Sequence, residues 1–88
     1  MTKYILLKFE YNSICEKQEF DDFNQAIDFG TKLAESSYKK REFARIKIFE
    51  AQEHEGVLVC LDENVIFEYD ANQGKITRNV FKDKLIYG

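Results

Sequence analysis

Residues 21–37 read DDFNQAIDFGTKLAESS. Phe23, Ala26, Ile27, Gly30, Leu33 and Ala34 recur at the spacing of one α-helical face. This predicts a helix over about 22–37. Asp22 is placed to cap its start, and Gln25, three residues on, sits at the capping-box position. Acids at the start suit the positive end of the helix dipole, and Lys39, Lys40 and Arg41 suit the other end. Gly30 runs against helix propensity by about 1 kcal/mol relative to Ala. Its place on the apolar face implies close approach to a sheet.

Upstream, KYILLKFEYNSICEKQEF (3–20) alternates with the period of a strand: Ile5, Leu7, Phe9 and Tyr11 against Leu6, Lys8 and Glu10. Asn12-Ser13 is a turn signal. A four-residue loop, Asn12–Cys15, sets Glu10 against Lys17, Lys8 against Glu19 and Leu7 against Phe20. That register pairs opposite charges twice. The second strand is poor in apolar residues and is expected at an edge.

Downstream, FARIKIFE (43–50) alternates again. GVLVCL (56–61) is a near-continuous apolar run that reads as a central strand. Pairing Ile46 with Leu61 and Ile48 with Val59 leaves Gln52–Glu55 as the loop. In NVIFEYDANQGKITRNVF (64–81), Asn72-Gln73-Gly74 suits a hairpin loop with Gly74 left-handed. That register sets Glu68 against Arg78, Tyr69 against Thr77 and Ile66 against Val80. The expected fold class is α+β, ordered β-β-α-β-β-β-β, with one helix packed on a mostly antiparallel sheet.

The 88 residues suit one domain spanning 1–88, with 82–88 as a tail that packs or frays. A content of 44% hydrophobic and 15% aromatic residues is too apolar for a disordered chain. Cys15 and Cys60 form no CxxC and, with a single histidine, no zinc set, so both read as buried free thiols. The N-terminus lacks the apolar run of a signal peptide or membrane span, which makes the cytoplasm the expected location and a membrane partner unexpected.

Charge is segregated. Residues 39–47, KKREFARIK, hold Lys39, Lys40, Arg41, Arg45 and Lys47 against Glu42 alone. Residues 48–70 hold Glu50, Glu53, Glu55, Asp62, Glu63, Glu68 and Asp70 with no Lys or Arg. The basic stretch is interleaved with Tyr38, Phe43 and Phe49, the pattern of a platform for single-stranded nucleic acid. The net charge of −3 counts against that reading.

The single histidine, His54, stands between Glu53 and Glu55. Consecutive residues on a strand point to opposite sides, so Glu-His-Glu is a poor metal or acid–base set. Asp70-Ala-Asn72 lacks the later ligands of a calcium loop. GxSxG, P-loop and GxGxxG patterns do not occur. No cofactor, metal or catalytic residue is expected.

The sequence therefore points first to a non-catalytic interaction or regulatory module. Its expected partner is another protein, met through Glu50, Glu53, His54, Glu55, Asp62 and Glu63. A basic, nucleic-acid-handling protein inhibited through the acidic 48–70 region would fit, and so would a second copy joined at a sheet edge. The alternative is a nucleic-acid-binding module using Lys39, Lys40, Arg41, Arg45 and Lys47. A small enzyme or metal protein built on the His54 tip is the third reading.

Overall fold

The structure, a computed structural model, describes residues 2–79. The expected tail at 82–88, and the pairing of Ile66 with Val80, lie outside the described residues. The elements are β1 (Thr2–Glu10), β2 (Ser13–Phe20), α1 (Phe23–Lys39), β3 (Ala44–His54), β4 (Val57–Val59), β5 (Val65–Asp70) and β6 (Lys75–Asn79). Every strand pairing is antiparallel. The sheet runs β2-β1-β3-β5-β6, with β4 paired to the far end of β3. The α+β class and the order β-β-α-β-β-β-β stand as expected.

Helix α1 covers one face of the sheet. Asp22 caps it by accepting a hydrogen bond from the Asn24 amide at 2.7 Å. Its buried face (Ala26, Ile27, Gly30, Ala34 and Ser37) meets Leu6, Ile46, Ile48, Ile66, Phe67 and Tyr69. A Cβ placed on Gly30 would lie 2.7 Å from Ile48 Cδ1 and 3.3 Å from Phe67 Cε1. Glycine is therefore what allows the helix to sit this low on β3 and β5.

The first hairpin differs from the expected register. Its turn is only Tyr11-Asn12, both left-handed at φ 51° and 70°. That is the primed two-residue geometry whose twist matches flanking strands. Glu10 pairs with Ser13, and a bulge between Lys8 and Phe9 sets Lys8 opposite Glu16 and Leu7 opposite Lys17. The expected Glu10–Lys17 and Lys8–Glu19 pairs are absent. Lys8 instead points toward the helix side and is largely buried, because its partner, Glu42, comes from the loop after α1.

GVLVCL is not a central strand. β3 continues through His54, the turn is only Glu55-Gly56, and His54 pairs with Val57. After Val59 the chain leaves the sheet, makes a 3-10 turn at Asp62–Asn64 and re-enters as β5. β4 and β5 thus share one flank of β3, separated by an excursion. Ile46 consequently faces Tyr69 rather than Leu61. Val57 and Cys60 are exposed, as is Cys15, so neither cysteine is the buried thiol expected. The sheet face opposite α1 carries Ile5 and Leu7 of β1 with their partners Glu19 and Lys17 of β2. On that face Ile5, Phe49, Ala51 and Val65 are buried.

At the last hairpin Glu68 faces Arg78 as expected, but a bulge sets Tyr69 against Ile76 rather than Thr77. The loop spans residues 71–74, with Gly74 left-handed at φ 65°. No helix among the described residues is long and apolar enough to cross a membrane.

Candidate functional site

The C-terminus of α1, the β1–β2 turn and the β5–β6 loop converge at one end of the sheet. The helix stops there through a paired closure. The Arg41 amide donates to Tyr38 O at 3.1 Å and the Glu42 amide to Ser37 O at 2.9 Å. This is the Schellman arrangement, whose left-handed position usually holds glycine. Here Arg41 holds it, at φ 57°. The reversal carries Phe43 out to the surface beside Tyr11.

The loop is fixed from below. Lys8 Nζ lies 3.0 Å from Glu42 Oε1 and 3.9 Å from Glu10 Oε1. Burial pulls the Lys8 ammonium down, but the hydrogen bond and charge of Glu42 outweigh it, so its pKa ends above the ordinary value. Glu42 is held below the usual carboxylate value, first by the Lys8 hydrogen bond and then by Ser37. The Ser37 hydroxyl is fully buried and makes no well-formed hydrogen bond of its own. On the third side, Asp70 Oδ1 accepts the Asn72 amide at 2.9 Å, and the Ala71 amide donates to Ala44 O at 3.0 Å.

Three adjoining clefts run between these supports. The first, about 350 Å³, lies among Phe9, Tyr11, Phe43, Arg45 and the start of the β5–β6 loop. Phe43 and Ala71 also line the second, about 220 Å³, with Arg41 and Tyr38. Tyr38, Tyr69 and Gly74 continue into the third, about 210 Å³, with Lys39, Lys75 and Ile76. Successive clefts share lining residues, so they adjoin as one groove around the end of the sheet, lined by rings and cations together with Glu35, Glu42 and Asp70. Tyr11, Tyr38 and Phe43 are 82%, 62% and 57% exposed, and they are all of the well-exposed aromatic rings among the described residues. Tyr69 forms the floor, its hydroxyl pKa raised first by burial and then by the nearby Tyr38 and Asp70.

Arg45 lies over the Phe9 ring at 5.8 Å, and Tyr11 stacks on Phe43 at 6.1 Å. Arg45 and the exposed rings Tyr11 and Phe43 are thus held by ring contacts, beside the Lys8–Glu42 ion pair that fixes the loop. Among the described residues, Lys39, Lys40, Arg41, Arg45 and Lys75 make no salt bridge.

The basic set read from the sequence divides. Lys39, Arg41 and Arg45 line the groove. Lys40 is the exposed helix cap and does not line it. Lys47 lies on the sheet face away from α1, where it pairs with Glu68 at 3.6 Å. Phe49, expected to share an exposed face with Arg45, is buried. The sequence reading missed Phe9, Tyr11 and the 70–74 loop. The available signal was Tyr11 beside Asn12, a bulky ring at the tip of a turn.

The acidic set gathers at the opposite end. Glu50, Glu53 and His54 finish β3, Glu55 forms the turn at φ 52°, and Asp62 and Glu63 lie in the excursion. None of the five acids makes an ion pair among the described residues. Lys3 is nearby but is held by Asp21. Glu68 and Asp70 do not join them, so the acidic span is divided between two ends. No three His, Cys, Asp or Glu side chains converge as a metal site among the described residues. Among the described residues no strand pairs with the outer edge of β2, which carries Glu16, Lys17 and Glu19, charges that discourage strand addition.

Comparison with protein-family models, with curated proteins and with solved structures gives no match, so no residue role is carried over from a relative.

Proposed function

We propose that this chain is a non-catalytic binding module whose ligand site is the groove at the α1 C-terminus, and that the ligand is extended and anionic. The observation that carries this is that exposed rings and cations without salt bridges line the same adjoining clefts. The succession of three adjoining clefts favours an extended ligand. Retention on immobilised heparin at low salt tests the charge requirement. Arg41→Glu with Arg45→Glu should abolish retention, and unchanged elution would contradict the reading.

A second reading concerns the other end. The unpaired Glu50, Glu53, Glu55, Asp62 and Glu63 suit a partner protein with a basic surface, which they would steer and orient more than hold. The separation of the two ends means that one module can meet two partners.

A further inference from the structure

We infer that the groove binds single-stranded nucleic acid, with bases laid on Phe43 and Tyr38 and phosphates met by Arg45, Arg41 and Lys39. This rests on the groove reading above and narrows it to one ligand class.

Charge alone does not require exposed rings. A surface built only to attract a polyanion works with lysines on a solvated face, and apolar rings there lose solvation without return. The exposed rings instead concentrate where the unpaired cations are. Any base offers a flat face to such rings, which makes stacking tolerant of sequence, while the backbone supplies the charge that the guanidinium groups meet. A duplex hides its bases, and an acidic peptide offers charge without regular rings.

The backbone gives independent support. Among the described residues, four other than glycine are left-handed: Tyr11, Asn12, Arg41 and Glu55. Tyr11 and Arg41 put a ring and a guanidinium into the groove from positions where glycine or asparagine is easier. Strain kept at two points of one surface is the pattern of functional sites.

The net charge of −3 is compatible with this placement. Of the acids near the groove, Glu10 and Glu42 are engaged by Lys8, and Asp70 accepts the Asn72 amide. Asp70 and Glu35, which lines the third cleft, make no salt bridge among the described residues. The remaining unpaired acids of β3 and the excursion lie at the far end of the sheet.

The test is fluorescence anisotropy of labelled 12-mer oligo(dT) and oligo(U), with the same length of duplex, poly-glutamate and heparin as competitors. The expected result is binding to the single strands that weakens about tenfold on Phe43→Leu or Tyr38→Leu. Lys3→Ala, at the opposite end of β1, should leave it unchanged. With three cations engaged, log affinity should fall with log salt at a slope of about −2. Leucine keeps the apolar volume at these exposed positions, and circular dichroism checks that each variant is folded. Binding that ignores the ring variants, and that duplex or heparin competes equally, overturns the inference but leaves an anionic-ligand groove. So does capture of poly-glutamate without oligonucleotide. Binding of none of the probes overturns both.

Discussion

The rings of Tyr11 and Phe43 stack 6.1 Å apart at an interplanar angle of 19°, although they are 82% and 57% exposed. One comes from the β1–β2 turn and the other from the loop after α1, so the contact joins two elements at the mouth of the groove. Such a pair contributes about 0.5–1.5 kcal/mol. The left-handed backbone of Tyr11 costs about 1–2 kcal/mol. The two nearly cancel, which makes the turn a place where stability and binding can be separated. Tyr11→Asn should change unfolding free energy by less than about 1 kcal/mol in urea melts, yet weaken oligonucleotide binding.

Arg41 offers the same separation with a clearer sign. Arg41→Gly relieves a left-handed residue at the helix closure, offset in part by glycine's flexibility in the unfolded chain. The variant should gain about 0.5–1 kcal/mol in denaturant melts and lose affinity in the anisotropy assay. A variant that binds as tightly as the parent would remove Arg41 from the site.

Gly30 was readable from its place on the apolar helix face, and the structure supplies the reason. Gly30→Ala adds helix propensity worth about 1 kcal/mol but drives a Cβ into Ile48 and Phe67. Ile48 is fully buried, so its Cδ1 moves only at the expense of neighbours. The expected net effect is a loss of about 1 kcal/mol. Adding Ile48→Val removes the obstructing methyl group and should make the alanine less costly in the double variant than alone. A Gly30→Ala protein more stable than the parent would contradict the packing.

The Lys8–Glu42 pair makes a statement about acid. Glu42 has a folded pKa below its ordinary 4.5, so below that pH the unfolded chain binds the proton more readily. The stabilisation from Glu42 is therefore complete above about pH 4.5 and is lost as pH falls through the lower folded value. Glu42→Gln should flatten the acid limb of the stability–pH curve. Lys8→Met should cost about 1.5 kcal/mol at neutral pH by leaving the carboxylate unpaired, and less in a Glu42→Leu background.

The acidic end gives a prediction of opposite character. Glu53→Lys with Glu63→Lys should leave oligonucleotide affinity within about twofold, because these side chains lie beyond screening distance of the groove at physiological salt. The same variant should lose any basic protein partner captured by the parent at low salt.

Local signals gave the helix, its cap, the Gly74 turn and the Glu68–Arg78 pairing, because each rests on residues close in sequence. The first hairpin misled because its charge pairs looked self-sufficient. Lys8 instead pairs with Glu42, 34 residues away, which no local register reveals. GVLVCL misled because an apolar run does not say where a strand leaves its sheet. The excursion after Val59 moved Tyr69, not Leu61, opposite Ile46. The groove was half legible. Its cations and two of its rings lie in one basic stretch, but Phe9, Tyr11 and the β5–β6 loop reach it only through topology.

The most direct test of the groove is a titration of ¹⁵N-labelled protein with unlabelled single-stranded 12-mer, followed by amide chemical shifts. Binding in the groove predicts perturbations clustered at residues 9–12, 38–45 and 69–76, with residues 50–63 still. Perturbations confined to the acidic end, or a spectrum that does not change at millimolar oligonucleotide, would contradict it.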